Sequence, residues 1–179
     1  MKTPIETLYE GKFLRLRRNG HWEYAERVNS IGAAFILAVT PAREIVLVEQ
    51  YRVPLRTRTI ELPAGIIGDG GHEGESIERS ALRELEEETG YRGTRAEILL
   101  RGPVAAGLTS ELLYLVRVHE LTRVHAGGGV DDEDIRVHVV PIATADAWLA
   151  QRAAQGLMVE PRIYTGLHFV QRTSQPTLE

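Results

Sequence analysis

Between Ser76 and Thr89 the chain carries one long helical segment, and most of what is patterned on either side of it reads as strand. "KFLRLRR" and "HWEYAERV" alternate apolar and polar residues around Asn19-Gly20, a good two-residue hairpin signal. The apolar runs "GAAFILAVT" and "EIVLVEQY", separated by Pro41-Ala42-Arg43, are short enough and β-branched enough for buried strands and predict a second hairpin. Downstream, "AEILLRGPV", "ELLYLVRVHEL" and "IRVHVVPI" predict further strands, and "HAGGGVDDED" an exposed mobile loop. Thr144 and Pro161 mark the starts of two closing helices, the first placing Trp148 and Leu149 in the core. Strands grouped about one long helix, rather than alternating with helices, favour a mixed α+β sandwich over a doubly wound sheet. No repeat or linker divides the chain, so residues 1–179 are expected to form one domain with an N-terminal β extension over about residues 1–30.

Composition narrows the chemistry. At 179 residues, 43% hydrophobic and 26% charged, the chain can bury one substantial core. With no cysteine it has no disulfide, thiolate metal site or thiol nucleophile, so any metal must be held by oxygen or imidazole. A net charge of -4 and the lack of a Lys/Arg cluster argue against nucleic acid as main partner. No run of about eighteen apolar residues and no secretory layout at the start are found, so no membrane association and a cytoplasmic location are expected. His72, His119, His125 and His138 show no close ligand spacing, and Gly11-Lys12 lacks the Ser or Thr of a phosphate-binding loop.

The helix itself is unusual in its charge. "RELEEETG", Arg83 to Gly90, sets Glu84, Glu87 and Glu88 at i, i+3 and i+4, so their carboxylates converge on one side and repel one another. Hard oxygen ligands of this kind suit Mg²⁺ or Mn²⁺, which keep waters and bind substrate phosphates as well. The alternative is a solvated helix face laced with salt bridges. Against it, only Arg79 and Arg83 are basic within the helix, and the glycine-rich "GIIGDGGHEGE" leads directly into it, as where backbone approaches a ligand closely.

Glu75, seven residues, then Arg83-Glu84-Leu85-Glu86-Glu87-Glu88-Thr89-Gly90-Tyr91 resembles the Nudix box, the signature of Nudix hydrolases. The flanking "ELPAGII", "EQYR" and "EDIRVHVV" resemble the branch of ADP-ribose pyrophosphatases and nucleoside-diphosphate-sugar hydrolases. Two places depart from the pattern: Asp69 stands where the box begins with glycine, and Ala105-Ala106-Gly107 where the branch commonly has Ser-Pro-Gly. The resemblance implies a Nudix-type α/β/α sandwich and a Mg²⁺- or Mn²⁺-dependent pyrophosphatase acting on ADP-ribose or a related nucleoside-diphosphate sugar. A GDP-mannose-type hydrolase and a non-catalytic nucleotide-binding module are the competing readings.

By position, the resemblance implies Glu84 and Glu88 as metal ligands, Glu87 as a further ligand or metal-water partner, and the main-chain carbonyl of Ala64 completing the site. Arg83 would orient the glutamates and Glu75 pair with it. Glu133 matches a late acidic ligand and Asp131 the place of a general base, with Glu111 a competing candidate or substrate contact. Arg52 is similar to an arginine near the diphosphate or terminal sugar, the alternative being a surface arginine after an edge strand. Trp22 and Tyr24 either stack a nucleobase in the pocket of a homodimer partner or are ordinary strand aromatics.

Overall fold

The structure, a computed structural model, describes residues 4–28, 30–130 and 134–172. It opens with a three-stranded antiparallel sheet of β1 (Glu6–Glu10), β2 (Leu14–Asn19) and β3 (Trp22–Arg27), the last two forming the expected hairpin but turning at Gly20-His21, one residue later than Asn19-Gly20, because Asn19 still pairs with Trp22. Two four-stranded sheets form the body. β4 (Ala33–Ala38), β5 (Glu44–Arg52), β6 (Thr57–Glu61) and β7 (Ala64–Ile66) precede the helix α1 (Ile77–Thr89). After it come β8 (Tyr91–Arg92), β9 (Arg95–Pro103), β10 (Leu112–His119), β11 (Thr122–Arg123), β12 (Ile135–Pro141), α2 (Ala145–Ala154), β13 (Met158–Val159) and α3 (Arg162–Arg172). One sheet runs β7-β4-β10-β9 and the other β12-β5-β6-β13, both mixed, while β8 and β11 form a short ribbon.

The central strands are buried on both faces, which is why their sequences are continuous apolar runs. Along β4, Ala33, Phe35 and Leu37 face a core shared with α2 and α3, whereas Ala34, Ile36 and Ala38 face a second core under α1. β5 and β10 divide their side chains in the same way, giving the α/β/α layering of an α+β sandwich. Leu149 and Ile163 close the first core and Leu85 and Ala81 the second, all fully buried; Trp148 packs at the edge of the first. Truncating Leu85 to alanine would cost about 2–5 kcal/mol on these grounds.

Two local expectations are corrected. β4 and β5 do not form a hairpin: both edges of β4 are taken, by β10 in parallel and β7 in antiparallel register, and β5 lies between β12 and β6. The link between them is a tight turn, with the Val39–Ile45 bridge, the Thr40 N–H to Glu44 carbonyl bond of 2.8 Å, the Arg43 N–H to Thr40 carbonyl bond of 2.9 Å and Arg43 in left-handed conformation. The described part of "HAGGGVDDED" is docked rather than loose. Amides of Gly128 and Gly129 donate to the Glu88 and Glu87 carbonyls at 2.8 and 3.2 Å, satisfying the otherwise open end of α1.

Among the described residues no helix is long and apolar enough to cross a membrane. The N-terminal sheet is tied to the body through Ala25, whose amide donates to Leu108 and whose carbonyl accepts from Ser110. Phe13, Leu14, Leu16 and Trp22 of this sheet region remain exposed.

Candidate active site

α1 begins where its sequence provides a cap and ends where it provides a left-handed residue. Ser76 accepts the Arg79 amide through its hydroxyl at 3.3 Å, and Gly90, at φ 73°, closes the last turn on the Glu86 carbonyl. The fit at that end is tight: a Cβ on Gly90 would strike the His125 carbonyl, and one on Gly127 would strike the Thr89 backbone. This fixes the turn from which Glu87 and Glu88 project.

The glutamates of the helix then separate in role. Glu88 is 5% exposed and accepts the Ala64 amide at 3.0 Å, joining α1 to the strand before the glycine-rich loop. Glu84 lies directly against Gly65, where any Cβ would overlap its carboxyl group. Arg83 gathers the remaining charge, approaching Glu75 at 3.2 Å, Glu84 at 2.9 Å and Glu87 at 2.9 Å. Burial, with the charges of Glu87 and Asp69 added, pushes Glu84 from 4.5 up to about 7 despite Arg83. A carboxyl group so poised is divided between its protonated and charged forms near neutral pH, and a bound cation would favour the charged form.

Glu84, Glu88, Asp69, Ala64 and Gly65 line a cavity of about 570 Å³, the size of a small-molecule site. Glu87 does not line it, being turned toward Arg83. Among the described residues no three acidic or imidazole side chains converge at ligand distance. The hard oxygen donors of Asp69, Glu84, Glu88 and the Ala64 carbonyl fit a divalent cation in chemistry.

Also lining the cavity, Arg52 makes a two-pronged pair with Glu61, Nε and Nη2 reaching its two oxygens at 2.7 and 2.6 Å. The Thr59 hydroxyl donates to the same carboxylate. Burial pushes Glu61 up, but the Arg52 fork, the Thr59 bond and the charge of Arg162 outweigh it and hold the group below the ordinary carboxylate range. Arg27 and Glu111 form an ion pair on the cavity wall. Trp22 and Tyr24 do not line this cavity, and Asp131 and Glu133 lie outside the described residues.

Glu61, Glu160 and Arg162 escaped the sequence reading, and Gly65 and Asp69 were given no role in the site by it. Glu61 and Gly65 lie within "ELPAG", Asp69 in the glycine-rich loop, but Glu160 and Arg162 carried no signal beyond a helix start.

Residues 30–158 match the family model described as NUDIX domain. The methanol dehydrogenase activator of Bacillus methanolicus is 33% identical over 135 residues, 72% of this chain and 71% of that protein. The ADP-ribose pyrophosphatase of Bacillus subtilis (strain 168) is 32% identical over 148 residues, 79% of this chain and 77% of that one. Among solved structures, an ADP compounds hydrolase superposes with a TM-score of 0.73 at 19% identity, over 96% of this chain and 92% of that one, a likeness of fold. The chain belongs to the NUDIX family and is a Nudix hydrolase. Enzymes of this kind generally need a divalent metal.

Proposed function

We propose that the chain is a Mg²⁺-dependent pyrophosphatase that hydrolyses the diphosphate of ADP-ribose, or of a related nucleoside-diphosphate sugar, with Mn²⁺ able to replace Mg²⁺. The observation that carries this is one cavity lined both by the carboxylates Asp69, Glu84 and Glu88 and by the arginines Arg52 and Arg162, groups that complement a cation-bound diphosphate. Similarity to a pyrophosphatase that acts on ADP-ribose supports the substrate class.

In this reading Glu84, Glu88 and the Ala64 carbonyl hold the cation, with Glu87 a further ligand or a partner of its water. A bound divalent cation would lower the pKa of water and neutralise phosphate oxygens. Arg83 keeps the carboxylates in place by pairing with Glu75, Glu84 and Glu87. Arg52 orients the substrate side of the cavity through Glu61. Asp131, Glu133 or Glu111 accepts the proton of the attacking water, of which Glu111 already shares the cavity wall with Arg27. Water adds to one phosphorus, the bridging P–O bond breaks, and ADP-ribose yields AMP and ribose 5-phosphate.

The chain is read as one domain that works as a homodimer. The exposed Phe13, Leu14, Leu16 and Trp22 of the N-terminal sheet region support this, as does the place of Trp22 and Tyr24 outside the chain's own cavity. Phosphate release coupled to alkaline phosphatase, over ADP-ribose, GDP-mannose, UDP-glucose, NADH and diadenosine polyphosphates with Mg²⁺ or EDTA, tests the activity. Metal-dependent turnover of ADP-ribose is expected, and binding without turnover of any substrate would favour a nucleotide-binding module. A single monomeric species in light scattering would remove the dimer.

A further inference from the structure

Two arginines that line the cavity, Arg52 and Arg162, are not equivalent. Arg52 spends Nε and one terminal nitrogen on Glu61, so its fork is already occupied by a carboxylate of this chain. Arg162, the first residue of α3, is held differently. Its guanidinium stacks over the Phe35 ring at 3.7 Å, and its Nε donates to Glu160. The second oxygen of Glu160 accepts the Arg162 amide at 3.1 Å, and the Glu160 amide donates to the Ile60 carbonyl at 2.9 Å. Ring, carboxylate and strand together fix the plane and direction of the side chain, while among the described residues its terminal nitrogens donate to nothing.

The ring that carries Arg162 also locates it. Phe35 is the register partner of Ala64, whose amide is bound by Glu88. A guanidinium stacked on Phe35 therefore lies one strand from the residues that would hold the cation. A staple between α3 and β6 would need only Nε and the main-chain amide; the two terminal N–H₂ groups of a residue lining the cavity are surplus to that task. The geometry points to Arg162 as the binding residue that clamps the diphosphate of the substrate, with Arg52 serving to hold Glu61. This inference rests on the diphosphate-sugar reading of the cavity.

Affinities of ADP and of adenosine, measured by calorimetry in EDTA, separate a phosphate contact from a structural one. The wild type should bind ADP more tightly than adenosine. Arg162→Gln should weaken ADP by about 10- to 100-fold, the scale of charge-assisted hydrogen bonds, and leave adenosine unchanged. Arg162→Lys, which keeps the charge but loses the planar fork, should fall between and guards against misfolding of the first variant. Arg52→Gln should change both ligands alike. An ADP-to-adenosine ratio unchanged by both Arg162 variants would overturn the inference, as would a selective loss of ADP in Arg52→Gln alone. A wild type that does not distinguish ADP from adenosine would instead remove the diphosphate reading and the inference with it.

Discussion

Gly65→Ala tests how the carboxylate of Glu84 is held. A Cβ on Gly65 would lie within 3.0 Å of Cγ, Cδ and Oε1 of Glu84, where ordinary contact begins at 3.4 Å. β7 cannot yield easily. Its flanks are pinned to β4 by the Ile36 N–H to Pro63 bond of 2.8 Å and the Ile67 N–H to Gly32 bond of 3.0 Å. Relief must come from the side chain, which withdraws by on the order of 1 Å. A displacement of that size at a reacting centre costs about 10²-fold in rate, or about 2.7 kcal/mol. Folding stability should change far less. Overpacking costs about 1–3 kcal/mol and the stiffer unfolded chain of alanine returns about 0.4–1 kcal/mol. The assay is kcat/KM for ADP-ribose across a Mg²⁺ titration, beside a thermal melt. Wild-type kcat/KM with an unchanged Mg²⁺ requirement would refute the idea that contact with Gly65 sets the working position of Glu84.

Glu84→Gln and Glu88→Gln should fold as the wild type, since glutamine preserves an acceptor for the Ala64 amide, yet lose turnover; normal phosphate release from both contradicts the cation site. Because folding raises Glu84 from 4.5 to about 7, the metal-free fold gains most below 4.5 and loses that gain as pH rises through about 7, by at most about 3 kcal/mol. In EDTA, wild-type stability should therefore fall relative to Glu84→Gln between pH 5 and 8, and parallel curves would exclude the effect. Arg52→Met leaves the buried Glu61 without its fork and should cost about 1–3 kcal/mol in a urea titration; an unmoved midpoint would show that Thr59 and Arg162 suffice.

Where a local signal and its physical cause coincide in the sequence, fold and site were legible. Ser76 and Gly90 cap α1 within a residue of where spacing places them, and the hairpin signalled by Asn19-Gly20 forms with its turn one residue on, at Gly20-His21. The apolar runs of β4 and β5 disclosed burial but not partners, because β4 pairs with β10, almost eighty residues later in the chain. The cluster of Glu84 and Glu88 was legible from helical period, whereas the withdrawal of Glu87 depends on which glutamates Arg83 reaches in three dimensions. Glu61 and Arg162 were hidden because each looks ordinary alone. Arg162 acquires meaning only when β4 brings Phe35 beneath it.

The backbone contact between the end of α1 and residues 125–127 limits how that loop can be engineered. Gly90 and Gly127 have no room for a side chain, so a library that randomises them would chiefly return proteins with a displaced helix end. Residues 122–125 belong to the same clasp although exposed, since Thr122 and Arg123 pair with β8 and the Val124 amide donates to the Gly90 carbonyl at 2.8 Å, while the amides of Gly128 and Gly129 close on the Glu88 and Glu87 carbonyls. Loop grafts intended to alter substrate range should therefore be cut outside this clasp, leaving it as a constant hinge-pin between the helix and whatever loop is installed.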